Sequence, residues 1–263
     1  MDFERLRRCR LFLLDMDGTM YLTATPCRGA IGFMDLLART GRRGIYLTNN
    51  SSHNHRDCAR ELRAMGLPCE ADGVFTAGMA AGLWMQRHLP GKRVYLVGTP
   101  ALRAELAEYG VETTEDAPDA VLVGFDSTLE YGKLARATNL LRAGLPYIAT
   151  NPDLVCPIEG GFIPDCGSIC ALLNAASGRE PVYVGKPCRE LVDLLAAQTG
   201  VPHDEICCVG DRLYTDIAVG VNAGTVTAAV LTGEATPELI AASDIKPDYV
   251  FEDIGALAEA LEG

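Results

Sequence analysis

The chain has 263 residues, enough for one large or two smaller domains, each with a real core. Hydrophobic residues make up 48% and charged residues 22%, the balance of a globular enzyme, and no apolar run approaches the roughly 18 residues that cross a bilayer. A net charge of −12 argues against a nucleic-acid surface, which needs clustered Lys and Arg to displace counterions.

Met1 to Arg10 is basic, but the apolar run after it is four residues long and ends on acids, unlike a secretory signal. A cytoplasmic location is expected. That run, Leu11-Phe12-Leu13-Leu14, reads as a strand buried on both faces, and it stops abruptly at Asp15-Met16-Asp17-Gly18-Thr19. In open α/β sheets the ligand crevice lies at the carboxyl ends of such strands. Asp15 and Asp17, two residues apart, point the same way in an extended segment and repel unless a cation sits near or the turn splays them. A polar turn closing a buried strand would present the same residues.

A helix is predicted over Ala30–Thr40 and a strand over Gly44–Leu47, followed by Thr48-Asn49-Asn50-Ser51-Ser52. Hydroxyl and amide donors ahead of a helix can close around phosphate oxygens. Ser and Asn are equally the preferred helix caps. The helix His55–Met65 comes next, and His53 and His55 fit its exposed start as well as they fit chemistry.

Further along, helices are predicted over Met79–His88, Ala101–Tyr109, Tyr131–Ala143 and Gly167–Ala176. Strands are predicted over Arg93–Val97, Ala120–Gly124 and Tyr147–Ala149. Tyr109-Gly110 and Ala143-Gly144 are typical helix ends. The Val97-Gly98-Thr99 turn carries too little glycine to indicate a nucleotide loop. Three strands without chemistry at their ends suggest an α/β domain over 79–178, inserted between core segments 1–78 and 179–263.

Beyond it, the strand Val182–Val184 runs into Gly185-Lys186-Pro187, which sets a positive charge at the crevice. After the helix Arg189–Gln198, the strand Ile206–Val209 ends in Gly210-Asp211, with Asp216 five residues on, where it could buttress a cation or Lys186. A strand over Val226–Leu231 and a helix over Thr236–Ala242 follow. Asp15, Asp17 and Asp211 at one rim suit a hard, oxygen-loving cation such as Mg²⁺. The set contains no Cys or His, which disfavours zinc or copper. The ten cysteines show no Cys-x-x-Cys spacing; Cys156, Cys166 and Cys170 come nearest to a soft-metal cluster, and buried free thiols are the better account.

The ordered set Asp15-Met16-Asp17-Gly18-Thr19, Thr48-Asn49-Asn50, Lys186 and Gly210-Asp211 with Asp216 resembles the four motifs of the haloacid dehalogenase-like phosphohydrolases. The position of the insert, together with Thr150-Asn151-Pro152-Asp153 and Val184-Gly185-Lys186-Pro187, resembles the NagD-like and p-nitrophenylphosphatase-like subfamily with a large α/β cap. The resemblance implies a three-layer Rossmann-like core with a parallel sheet, plus the inserted cap. It implies Mg²⁺-dependent hydrolysis of a small phosphomonoester, such as a sugar phosphate or nucleoside monophosphate, and leaves room for a homodimer. Asp15 would be the nucleophile and Asp17 the acid and base. Asp15, the Asp17 backbone carbonyl and Asp211 would hold the metal, with Asp216 behind them. Thr48, Asn49, Asn50 and Lys186 would bind the phosphoryl group, and Asn151 and Asp153 would face the substrate. A non-hydrolytic phospho-aspartate signalling module also combines acids, a hydroxyl and a lysine, but is about half this length and needs no cap. Phosphoryl transfer to a sugar hydroxyl, as in mutases, is a third reading.

Overall fold

The computed structural model describes residues 2–158 and 160–263, which form two compact units. The first comprises residues 1–48, 58–75 and 186–263, and the second residues 49–57 and 76–185. The expected insert, 79–178, falls wholly within the second unit, which reaches further at both ends and also takes in Asn49–Asp57.

In the first unit a six-stranded sheet runs in the order Tyr249–Phe251, Val226–Val230, Ile206–Gly210, Leu11–Asp15, Arg43–Thr48, Val74–Thr76. The ladders flanking the strand Leu11–Asp15 are parallel, pairing Leu11 with Ile206 on one side and with Arg43 on the other. This register brings Asp15 level with Leu47, and Leu14 level with Val209, so Asp15, Thr48 and Asp211 emerge at one carboxyl edge. Strand side chains alternate between faces. Phe12 and Leu14 therefore pack beneath Phe33, Leu36 and Leu37 of the helix Ala30–Arg39 and Ile254 and Leu257 of the helix Ile254–Glu262. Phe12 meets Phe33 edge to face, centroids 5.6 Å apart. The helix Ala218–Ala223 covers the opposite face, where Gly220 lies against Cys208 and Thr227. Helices on both faces make the three layers expected of a doubly wound α/β core.

The second unit repeats the principle with a four-stranded parallel sheet in the order Val182–Tyr183, Tyr147–Ala149, Ala120–Val123, Val94–Val97. Tyr95, Val97, Val121 and Val123 turn to the helices Tyr131–Arg142 and Cys166–Ser177. Val94, Leu96, Ala120 and Leu122 turn to the helices Ala77–His88 and Pro100–Glu108. The segment Asn49–Asp57 lies over this sheet's carboxyl ends: Phe125 N–H donates to Ser51 Oγ at 2.9 Å, and Thr99 Oγ1 donates to the Ser52 carbonyl at 2.9 Å. His55 is mostly buried, unlike the exposed helix start its position suggests, because its N–H and Nδ1 both reach the fully buried Glu105.

Every predicted strand and helix is present, with ends displaced by up to two residues. The omissions are informative. Val74–Thr76 and Tyr249–Phe251 are three residues each, too short to show alternation. The hairpins Tyr21–Leu22/Thr25–Pro26 and Val155–Ile158/Gly161–Pro164 lie in stretches that read as loop. The short helix Glu4–Arg8 buries only Leu6. None of the ten cysteines forms a disulfide; Cys166 and Cys170 lie with sulfurs 4.0 Å apart, and Cys156 bonds to the Pro157 carbonyl instead of joining them. No helix among the described residues is long and apolar enough to cross a membrane.

The helix Ile254–Glu262 depends on its cap. Asp253 accepts from the Ala256 N–H at 2.9 Å and from Arg28 Nε at 2.6 Å, tying the helix to the turn before Ala30. Burial works to raise the Asp253 carboxyl, but Arg28 and the N–H groups of Ala256 and Gly255 outweigh it and hold it below its ordinary value. Asp253→Ala is expected to cost about 1 kcal/mol of stability. Because the folded value is the lower one, the contribution is complete above the unfolded carboxylate value of about 3.9 and fades as pH falls through the folded one. Urea unfolding should therefore separate wild type and variant more at about pH 6 than at about pH 3; equal separations would contradict the cap's charge.

Candidate active site

The carboxyl edge of the first sheet gathers most of the residues singled out by sequence. Asp15 ends the strand Leu11–Asp15, and Asp211 follows the strand Ile206–Gly210. Asp216 returns to the same edge on the turn Leu213–Ile217, whose wide π geometry lets its carboxylate reach back over Gly210. Oxygens of Asp15, Asp211 and Asp216 lie within 4.8 Å of one another, the only such group of three acids, histidines or cysteines among the described residues. The Asp17 side chain is not part of this group.

Lys186 enters the group from its own strand-end turn, with only 3% of its side chain exposed. Its Nζ donates to Asp15 Oδ1 at 2.5 Å, to Asp216 Oδ1 at 2.5 Å and to the Leu47 carbonyl at 3.3 Å. Asp216, expected behind the site, is thus a direct partner of Lys186, and its second oxygen accepts from the Arg212 N–H at 3.0 Å. Asp211 is held by Thr19 Oγ1 at 3.2 Å and by the Glu234 N–H at 2.8 Å.

This crowding has electrostatic consequences. Burial pushes the Asp15 carboxyl well above its ordinary value, and Asp216 and Asp211 push the same way against Lys186. Burial, followed by the charge of Asp216, raises Asp211 to about 6. For Lys186 burial works against the ammonium, but Asp15 and Asp216 outweigh it and keep the group charged above its ordinary value. One ammonium is too little positive charge for three buried carboxylates. The donors are hard oxygens with excess negative charge, so the trio fits a divalent cation of the magnesium or calcium type.

Two glycines make the packing possible. Gly18 has φ of +87°, a conformation side chains avoid, and a Cβ there would stand 2.5 Å from Asp211 Oδ2. At Gly233 a Cβ would come within 2.0 Å of the same oxygen. Asp17 lies just beyond, half-buried, its carboxylate accepting from the N–H groups of Thr23 and Gly18. Burial nevertheless raises it, with Arg212 the main opposing charge.

Thr48 ends the strand Arg43–Thr48 and is buried at the same edge. Asn49, Asn50, Asn151 and Asp153 belong to the second unit. There the side-chain amide of Asn49 donates to Asp153 Oδ2 at 2.9 Å, and Asn151 Nδ2 donates to Asp153 at 3.3 Å and to Asp165 at 3.2 Å. Asn50 Oδ1 is engaged locally by the Ser52 N–H at 2.9 Å and hydroxyl at 2.7 Å. Asp153 Oδ1 is buried with no hydrogen-bond partner, an open acceptor in an otherwise satisfied network.

Sequence reading gave no role to Thr19 or Arg212, though both lie within its motifs, and passed over Thr232 and Glu234; all four stand at this edge. Thr232 Oγ1 donates to the Gly18 carbonyl at 2.5 Å. The strand-end rule applied to Val226–Leu231, as it was to the other strands, would have pointed to Thr232-Gly233-Glu234.

The sequence matches the family described as haloacid dehalogenase-like hydrolase over residues 12–112, and a second HAD-hydrolase-like family over residues 183–257. An acid sugar phosphatase of Staphylococcus aureus is 33% identical over 258 residues, 98% of this chain and 100% of that protein. Among solved structures, a 4-nitrophenylphosphatase from Thermotoga maritima superimposes with a TM-score of 0.95 at 43% identity, covering 98% of this chain and 99% of that one. A glycerol phosphate phosphatase from Mycobacterium tuberculosis in complex with magnesium gives 0.89 at 33% identity, covering 95% and 76%.

Removing Lys186 should expose how much the edge depends on it. Lys186→Met leaves two buried carboxylates without their counter-charge and is expected to lower the unfolding free energy by about 3–5 kcal/mol. The same change in an Asp15→Asn background should cost less, because one stranded charge is already gone. Equal losses in both backgrounds, by denaturant titration, would rule out the coupling.

Proposed function

The chain belongs to the haloacid dehalogenase-like hydrolases, and from that membership we propose that it is a phosphatase for small phosphomonoesters, sugar and polyol phosphates foremost, working with Mg²⁺. The observation that carries the reading is the Asp15, Asp211 and Asp216 group around Lys186 at the sheet's carboxyl edge. A hydroxylated leaving group is favoured by the similarity to an acid sugar phosphatase and a glycerol phosphate phosphatase.

Asp15 is the nucleophile. Its carboxylate oxygen attacks phosphorus, the P–O bond to the alcohol breaks, and an aspartyl-phosphate forms on Asp15. An alkoxide leaves poorly unless protonated, and Asp17 is the acid that gives the proton. Asp17 then takes a proton from water as that water attacks the phosphoryl group, releasing inorganic phosphate and restoring Asp15. Lys186 fixes Asp15 and offsets its charge as the dianionic ester approaches. Thr48 and the backbone N–H of Asn49 offer donors to the phosphoryl oxygens, with Asn50 shaping the turn. Asp15, Asp211 and the Asp17 carbonyl would hold the cation, whose charge offsets the carboxylates and the ester oxygens. Asp216 holds Lys186 in place, and Asn151 and Asp153 select the leaving group. Cysteines without disulfides fit a reducing cytoplasm, and a homodimer is compatible with the reading.

The test is phosphate release from a panel of sugar phosphates, glycerol phosphate, nucleoside monophosphates and p-nitrophenyl phosphate. Asp15→Asn should lose turnover about 10³-fold or more on all of them, and EDTA should stop the wild type until Mg²⁺ is restored. Appreciable turnover by Asp15→Asn, or hydrolysis indifferent to chelation, would overturn the mechanism.

A further inference from the structure

Lys186 has three N–H donors, and Asp15, Asp216 and the Leu47 carbonyl engage them. It screens charge at the edge, but it can donate to an incoming phosphoryl oxygen only by releasing one of these partners. A second cation stands at the same edge of the first unit. Arg212 follows Asp211 directly, and its backbone N–H donates to Asp216 Oδ2 at 3.0 Å. Its Nε donates to Glu234 Oε1 at 2.7 Å. Glu234 is itself secured, its N–H on Asp211 Oδ2 at 2.8 Å and its other carboxylate oxygen bonded by the Tyr214 hydroxyl at 3.3 Å.

The guanidinium is therefore gripped by one side only. No protein group among the described residues accepts from Nη1 or Nη2, and these nitrogens are not buried. With its side chain only 19% exposed, Arg212 presents a planar, pre-oriented fork with its donor edge open. Such a fork matches the spacing of phosphoryl oxygens and loses little further freedom on binding. The surrounding charges agree with this placement. Asp15 and Asp17 both lie within electrostatic reach of the Arg212 charge.

We propose that Arg212 is a substrate-binding residue whose free Nη1 and Nη2 edge clamps the phosphoryl oxygens of the bound ester, supplying the bidentate contact that the fully engaged Lys186 does not. The assignment rests on the phosphatase reading. It makes the residue a reader of the phosphate, common to all substrates, and not of the alcohol.

Calorimetric titration of inorganic phosphate into the Mg²⁺-loaded protein, with phosphate-release kinetics on p-nitrophenyl phosphate and glycerol phosphate, tests it. Arg212→Met should weaken phosphate binding about 10- to 100-fold and lower kcat/KM by a similar factor on both esters. Arg212→Lys keeps the charge without the fork and should recover only part of the loss. Unchanged phosphate affinity in Arg212→Met would overturn the proposal. So would a loss confined to one ester, or full recovery in Arg212→Lys. If Arg212→Met does not fold, Arg212→Lys decides alone, and wild-type affinity there overturns the clamp. Asp15→Asn run alongside separates the two readings: turnover in that variant removes the phosphatase mechanism, whereas an inactive Asp15→Asn beside an Arg212→Met that binds phosphate normally removes only the clamp.

Discussion

Carboxylates do not share a buried edge without something to oppose them, and here the opposition begins with one ammonium. Lys186 lies 2.5 Å from oxygens of both Asp15 and Asp216 in surroundings nearly free of solvent. In so dry a setting the attraction is strong, and so is the penalty of removing either side. The arrangement remains short of positive charge, because three carboxylates gather around one ammonium. That shortage is what makes the edge receptive. A site already neutral would have little affinity for a cation, and one with no ammonium at all would drive its acids to hold protons instead.

The backbone sets this balance before any side chain does. Parallel pairing on both flanks of Leu11–Asp15 puts three strand ends in line, so acids far apart in sequence meet without any long connecting loop. The missing side chains of Gly18 and Gly233 then let two turns close on Asp211. The turn carrying Gly233 also delivers Glu234, whose backbone steadies Asp211 while its carboxylate steadies Arg212. A single turn thus orients an acid and a base.

Much of this was legible in the sequence, and the reason is periodicity. Strands such as Leu11–Asp15 and Ile206–Gly210 are uninterrupted apolar runs because both faces are covered, and the abrupt switch to Asp or Gly marks where cover ends. What escaped notice lacked a periodic signal or drew on distant partners. The helix Ala218–Ala223 has a glycine and two β-branched residues in six positions, and packing against Cys208 and Thr227 holds what propensity does not. The helix Ile254–Glu262 was legible but unread: Asp253 is a strong cap, and Ile254, Leu257 and Leu261 keep helical spacing. Asp216 reads from sequence as a residue that could buttress a cation or Lys186, and the π turn, which no pattern in Leu213–Ile217 announces, is what carries its carboxylate onto Lys186.

The second unit is built from discontinuous chain. Its sheet ends carry Thr99, Phe125 and Thr150, and the residues that satisfy them, Ser51 and Ser52, come from a stretch more than twenty positions upstream of the insert. His55, from the same stretch, satisfies the buried Glu105. The insert is therefore not a cassette. A lineage exchanging it for another would inherit strand ends and a buried carboxylate with no partners unless 49–57 changed in step. Thr48 stands one peptide bond away from that segment. A change at these strand ends therefore calls for a matching change in residues 49–57, at the level of single hydroxyl groups.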